Sequence, residues 1–345
     1  MEHQLLMEIR QQSKAILETL AKENDEIEQC ASFVRNSIHF LGMGSSYYAS
    51  LYAKYLLREV AHCDIGVELS SEFLHYPLNV RRGQVFVVVS QSGESVETVK
   101  AARLLRRRHA IILGVTNQPE SSLAALSHAT LLTHAGEERA SATKTFVSTL
   151  ALLYRLSFVV GRRAALVTRS RLADSNDRLV SCAKSMEEEM PNWEKSIRRL
   201  VEDVGSYQSI SVIGRGYNLA PALQGALLFK EVAKLHAEGM TAGEFMHGPI
   251  EMASSELLTI VLTGGRTSQL MTGLIRRLKK YNTKVLTIGP QSVGSANTIN
   301  LKEKEQTLIP FPSIVSLDLL AYFTALKRRL DPDRFSHISK VTLVE

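Results

Sequence analysis

Val85-Phe86-Val87-Val88-Val89 runs directly into Ser90-Gln91-Ser92-Gly93-Glu94-Ser95, and this junction decides the fold class. Five consecutive β-branched or aromatic residues suit a central parallel strand buried on both faces. The polar segment would open the next helix, where unpaired backbone N–H groups and the helix dipole favour an anion. Three serine hydroxyls and the Gln91 amide supply short side-chain donors, and no lysine or arginine lies in the loop. A phosphate would therefore be held by neutral donors and amide dipoles, not by a countercharge. Taken alone the segment is equally an ordinary turn, because serine and glycine are common at caps and turns.

A second junction upstream shifts that balance. Ile38-His39-Phe40-Leu41 leads into Gly42-Met43-Gly44-Ser45-Ser46-Tyr47, again strand, glycine and serine loop, then helix. In a doubly wound sheet, loops at the carboxyl ends of neighbouring strands converge on one crevice at the topological switch point. Gly42 and Gly44 lack the third glycine of a dinucleotide fingerprint, which argues against NAD.

Working outward, strands are expected at 38–41, 66–69, 85–89, 110–115 and 129–132, with helices between them. This rhythm predicts a parallel sheet covered on both faces. The pattern restarts at Ser209–Ile213 with Gly214-Arg215-Gly216-Tyr217, a helix to about His236, strand 258–262, helix 268–281 and strand 284–288. Strand, Gly-x-Gly turn and helix recur in the same order, the trace of an internal duplication. Where the first copy has its serine loop, the second has Thr263-Gly264-Gly265-Arg266-Thr267, without the phosphate chemistry. The expected organisation is a helical segment over 1–35, a first α/β domain over 36–163, a helical connector over 164–203, a second α/β domain over 204–330 and a tail over 331–345. The fold class is thus α/β, with two tandem, doubly wound, flavodoxin-like domains.

The 345 residues carry a net charge of +6 and 45% hydrophobic residues, with mean hydropathy −0.03 and pI 9.2. The basic residues are scattered over helix-like stretches without aromatic interleaving, so the pI points to anionic metabolites and not to nucleic acid. No run of eighteen apolar residues occurs, and a cytoplasmic protein without membrane contact is expected. Cys30, Cys63 and Cys182 show no C-x-x-C spacing and read as reduced thiols.

Several motifs now stand in one order: Gly42 to Tyr47, Ser71-Glu72-Phe73, Ser90 to Ser95, Ala142-Thr143-Lys144-Thr145-Phe146, Gly243-Glu244-Phe245-Met246-His247-Gly248-Pro249 and Lys340-Val341-Thr342. Together they resemble the double SIS (sugar isomerase) domain proteins, in particular the isomerase half of glucosamine-6-phosphate synthase and free-standing SIS-type glucosamine-6-phosphate deaminases. The resemblance implies that Gly44, Ser45, Ser46, Ser90, Gln91, Ser92, Gly93, Ser95 and Ala142 bind the sugar phosphate. It implies that Glu231 shuttles a proton between C1 and C2, as one carboxylate placed between both carbons can. His247 matches the histidine that opens the sugar ring, reaching in from a neighbouring subunit, so a homodimer with a shared site is implied. Lys340 matches a tail lysine able to form a Schiff base with the open-chain sugar. No cofactor or metal is implied; a metal site from His236, Glu238 and His247 lacks the helical i, i+4 histidine pair.

Positions 224, 228 and 231 share one helix face. The synthase pattern implied by the resemblance has Glu, Lys and Glu there, whereas this chain has Gln224, Leu228 and Glu231. Losing a cation and a carboxylate beside the catalytic glutamate alters its pKa and the handling of a nitrogen substituent. The loop Gly136 to Ala142 is one residue shorter than the family pattern. The synthase's upstream glutaminase domain is not expected here, since the chain begins where the isomerase half would begin. The expected reaction is therefore glucosamine 6-phosphate to fructose 6-phosphate and ammonia. Alternatives are another phosphosugar aldose–ketose isomerase, a sugar-amine 6-phosphate deglycase, the isomerase part of a synthase, or a noncatalytic sugar-phosphate sensor. A sensor with a DNA reader would need a three-helix module, for which 35 N-terminal residues are too few.

Overall fold

The computed structural model describes residues 2–22, 24–290 and 297–337. The chain divides into two compact units, each built on a five-stranded sheet. One holds residues 11–138 and 144–181; the other holds residues 1–10, 139–143 and 182–335.

In the first unit the strands are β1 (Ser37–Gly42), β2 (Asp64–Leu69), β3 (Val85–Val89), β4 (Ile111–Thr116) and β5 (Ala129–Leu132). All pair in parallel, in the order β2-β1-β3-β4-β5. β3 lies at the centre and all five of its residues are buried, as its unbroken apolar run requires. Helix α4 (Ser45–Val60) carries the chain from β1 outward to β2, and α6 (Val96–Arg107) carries it from β3 the other way to β4. The crevice between the ends of β1 and β3 is therefore the topological switch point. Short α5 (Ser70–His75) and α7 (Ser122–Leu126) complete the rim.

Helices α2 (Gln12–Lys22) and α3 (Asn24–Phe33) pack on α8 (Lys144–Arg163), which also covers α4. The amphipathic N-terminal segment thus finds its core on later elements. By length and composition α8 could cross a membrane, but 94% of its apolar window is buried inside the protein. Its first turn is closed by Glu138, whose carboxylate accepts from the Thr145 backbone N–H at 3.1 Å and from the Thr145 hydroxyl at 2.6 Å.

The second unit repeats the plan. Strands β6 (Ser209–Gly214), β7 (His236–Thr241), β8 (Leu257–Leu262), β9 (Lys284–Gly289) and β10 (Asn297–Asn300) pair in parallel in the order β10-β9-β8-β6-β7. Read from β7, this is the order of the first sheet, so the duplication extends to topology. α10 (Leu219–Ala233), α11 (Ala242–Met246), α12 (Ser268–Lys279) and α13 (Pro310–Lys327) clothe it, and α1 (Gln4–Arg10) packs on α13. α9 (Arg169–Asp203) is a single 35-residue helix with Pro191 inside it.

Sequence periodicity extends the helix after Gly216 to about His236. It stops at Ala233 instead, where Lys234 adopts a left-handed conformation (φ +51°), and the chain turns into β7. β7 is a polar edge strand that pairs, among the described residues, only with β6, so it lacks the apolar run that identifies a central strand. The three cysteines are buried and none is in a disulfide; burial pushes the Cys63 and Cys182 thiols up, which keeps them protonated and unreactive.

His39 on β1 stacks on Phe86 with ring centroids 5.3 Å apart. Its Nδ1 is buried without a hydrogen-bond partner among the described residues, and burial holds its pKa below the ordinary value of 6.5. The folded state thus favours the neutral ring: the stability is fully present above pH 6.5 and is lost as pH falls through the lower, folded-state value. Urea midpoints should fall more steeply with acidification for the native chain than for His39→Phe. Identical pH slopes for the two would show that His39 carries none of the acid sensitivity.

Candidate functional site

In the first unit, the segment after β3 is held from several sides. Ser90, 3% exposed, donates its N–H to the Val115 carbonyl at 2.9 Å. Gly93 donates back to the Ser90 carbonyl at 3.1 Å and to its hydroxyl at 3.2 Å. The Gln91 carbonyl accepts from the Asn117 N–H at 2.9 Å and the Thr116 hydroxyl at 3.1 Å. Glu94 accepts at Oε1 from the Ser122 N–H at 2.6 Å, so its charge is spent at the start of α7. Gly93 has φ +66°, and a Cβ there would lie 2.1 Å from the Ser121 hydroxyl. Only glycine fits this turn.

α6 then starts at Ser95 with no side-chain cap; the Ser95 hydroxyl instead accepts from Ser90 Oγ at 3.4 Å. α4 starts at Gly44 (φ +49°), also without a side-chain cap. Gly42 lets the strand end run close to that helix, since a Cβ on it would meet the Ser46 and Tyr47 backbone at 3.0 Å. Two helices of sixteen and twelve residues thus begin at the carboxyl ends of paired strands without a side-chain cap, although in α4 the Ser46 and Tyr47 N–H groups donate to the Met43 carbonyl at 3.0 and 3.5 Å. Both helix dipoles favour negative charge there. Gly44, Ser45, Ser46, Ser90, Gln91, Ser92, Gly93 and Ser95 all lie on the two loops that leave the paired strands β1 and β3 at this crevice.

In the second unit, Glu231 lies on α10, half-buried, with Gln224 and Leu228 on the same face and both 0% exposed. Gln224 Nε2 donates to the Ala142 carbonyl at 2.9 Å, and its Oε1 is buried without a partner among the described residues. A carboxylate could not make this contact, since it would set an acceptor against an acceptor and bury a charge. Gln224→Glu should therefore cost about 2–4 kcal/mol, whereas Gln224→Met should cost less; chemical denaturation of both checks the order.

The segment 139–143 is clamped from its other end by Glu8, 0% exposed. Glu8 Oε1 accepts from the Arg139 N–H at 2.7 Å and Oε2 from the Ala140 N–H at 3.1 Å. α1 is itself capped by Asp333, which accepts from the N–H groups of Gln4 at 2.7 Å and Leu5 at 2.8 Å. Sequence reasoning missed Glu8. Its partners are backbone groups more than a hundred residues away, which no local spacing encodes.

His247 ends α11 and is exposed, its N–H bonded to the Glu244 carbonyl at 3.0 Å. Gly248 follows with φ +149°. Lys340 lies outside the described residues. His236 Nε2 is 3.7 Å from Glu238 Oε1, and among the described residues no group of three His, Cys, Asp or Glu is placed to hold a metal. In the loop after β8, Gln306 Oε1 already accepts from the Arg266 N–H at 3.5 Å and Nε at 3.3 Å, so that copy of the loop is engaged by the protein's own amide.

Against known proteins, the SIS domain profile matches residues 33–158 and 206–326. A glutamine--fructose-6-phosphate aminotransferase (isomerizing) of Thermosynechococcus vestitus is 33% identical over 324 residues, covering 89% of this chain and 52% of the relative. The chain thus spans about half the length of the curated relatives it matches. The C-terminal domain of glucosamine-fructose-6-phosphate aminotransferase from Francisella tularensis superposes with TM-score 0.89 at 22% identity, over 97% of this chain and 99% of that one. Glucosamine-6-phosphate deaminase from Thermotoga maritima superposes with TM-score 0.79 at 21% identity, over 98% and 99%. At these identities the two structures establish a shared fold.

Proposed function

The chain belongs to the SIS domain family, and on that premise we propose that it is a phosphosugar isomerase acting on an amino-sugar 6-phosphate. The observation that carries the reading is the pair of helix starts without side-chain caps, α4 and α6, with their serine hydroxyls at one switch point. The substrate phosphate is held there by N–H groups and hydroxyls, which bind a dianion without a lysine or arginine.

Glu231 takes the proton from C2 of the open-chain sugar and returns it to C1. For glucosamine 6-phosphate the intermediate is an enolamine; protonation at C1 leaves an imine at C2. Water adds to that imine and ammonia departs, giving fructose 6-phosphate with no redox change and no cofactor. His247 of a neighbouring subunit opens the sugar ring, Lys340 engages the C1 aldehyde, and Ala142 lines the sugar, so the working unit is at least a homodimer. The buried, uncharged pair Gln224 and Leu228, in place of two charged groups, favours the deaminating direction over amination of fructose 6-phosphate.

Incubating the purified chain with glucosamine 6-phosphate, and separately with other aldose and ketose 6-phosphates, tests this. Ammonia and fructose 6-phosphate in equal amounts are expected from the amino sugar. Turnover of the neutral phosphosugars without any ammonia from glucosamine 6-phosphate would replace deamination with plain isomerisation.

A further inference from the structure

A cavity of about 540 Å3 opens in the first unit at the edge of the sheet where its strands begin. Ser37, which starts β1, and Gln84, which precedes β3, line it together with His39, Asn79, Arg81 and Arg82. The phosphate loops leave the opposite ends of the same strands, about 20 Å away at roughly 3.3 Å per residue. The cavity is therefore separate from the crevice described above.

Its two arginines are exposed and sit on the loop between α5 and β3. Among the described residues, neither guanidinium has a hydrogen-bond or ion-pair partner, and no carboxylate lines the cavity. Neither residue closes a helix, so complementing a helix dipole does not account for them. The loop is nonetheless fixed. The Gln84 N–H donates to the Arg81 carbonyl and the Arg81 N–H to Gln84 Oε1, both at 3.0 Å. Gly83 (φ +76°) donates to the His109 carbonyl at 2.9 Å, and Arg108 holds the Leu78 carbonyl at 3.0 Å. Adjacent guanidinium groups on a pre-ordered turn, with hydroxyl and amide side chains around them, match the oxygens of a phosphate chain.

The volume lies within the range of small-molecule sites and far exceeds an inorganic phosphate. Leu78 and the half-buried His39 ring supply an apolar wall. We propose that this cavity is a second ligand site that binds a phosphate-bearing small molecule of nucleotide size, with its phosphates on Arg81 and Arg82. The inference stands apart from the reaction assigned to the other end of the sheet.

Calorimetric titration of the full chain with ADP at about 0.15 M salt tests it, with inorganic pyrophosphate as a second probe. Saturable ADP binding is expected, weakened about tenfold or more by R81A/R82A and undisturbed by excess glucose 6-phosphate. Pyrophosphate should bind several-fold more weakly than ADP. No saturable binding of ADP, unchanged binding by R81A/R82A, or displacement by glucose 6-phosphate would overturn the site. Equal affinity for pyrophosphate would overturn the nucleotide-sized ligand. Both substitutions are at exposed positions, and retention of the native melting transition confirms that the variant folds.

Discussion

Glu231→Gln is expected to lower kcat by about 10²–10⁴-fold, the usual worth of a positioned general acid–base group, while leaving phosphosugar affinity near that of the native chain. Glu231 is half-buried on α10, whereas the proposed phosphate site is formed by the ends of β1 and β3 and the starts of α4 and α6. On the proposed mechanism, removing the carboxylate deletes the proton carrier and none of the groups assigned to the phosphate. The side chain stays nearly isosteric, so stability should change little. Separate measurement of kcat and of Kd for a nonreacting sugar 6-phosphate checks this split. A variant that turns over like the native chain would remove Glu231 from the chemistry, and sugar-phosphate binding without any turnover by the native chain would instead indicate a noncatalytic sensor.

The second large effect is expected at the phosphate end. Gly93→Ala must place a Cβ at φ +66°, 2.1 Å from Ser121 Oγ and 2.4 Å from Ser121 Cβ. A left-handed conformation costs a non-glycine residue about 1–2 kcal/mol, and the clash adds displacement of the turn that aims Ser90, Ser92 and Ser95. Ser121 also caps α7 through the Ala124 N–H at 3.3 Å, so it cannot move without cost. KM should rise about 10–100-fold, with kcat falling much less. Adding Ser121→Gly relieves the clash but not the backbone strain, so partial recovery in the double variant is expected. An unchanged KM in Gly93→Ala would show that the loop does not hold the substrate.

Much of this architecture is legible because central parallel strands are continuous apolar runs. Val85–Val89, Ile111–Thr116 and Leu257–Leu262 are of this kind, and the glycines that follow several strands mark the turns. β7 and β10 escape because they are edge strands of polar sequence: His236-Ala237-Glu238-Gly239-Met240-Thr241 and Asn297-Thr298-Ile299-Asn300 carry little apolar surface. The glycine and serine loops after β1 and β3 are legible for a related reason, since the polar groups of each lie within six consecutive residues. Glu8 and Ala142 behave differently. Their significance depends on backbone groups meeting across more than eighty residues of chain, and local pattern holds no record of that. Gln224 stands between these cases. Its departure from the family pattern is visible in the sequence, but the reason that an amide is required, the Ala142 carbonyl facing it, emerges only from the fold.

The claim beneath all of this is that a proton moves between C2 and C1 of a phosphosugar. Glucosamine 6-phosphate carrying deuterium at C2 measures that transfer directly, with product analysed by mass spectrometry and proton NMR. The expected result is ammonia and fructose 6-phosphate in equal amounts, with part of the deuterium found at C1 and the remainder exchanged with water, and both products formed about 10²–10⁴-fold more slowly by Glu231→Gln. Substrate recovered with its C2 deuterium intact and no ammonia released, from protein shown to be folded and to bind the sugar phosphate, would contradict the account.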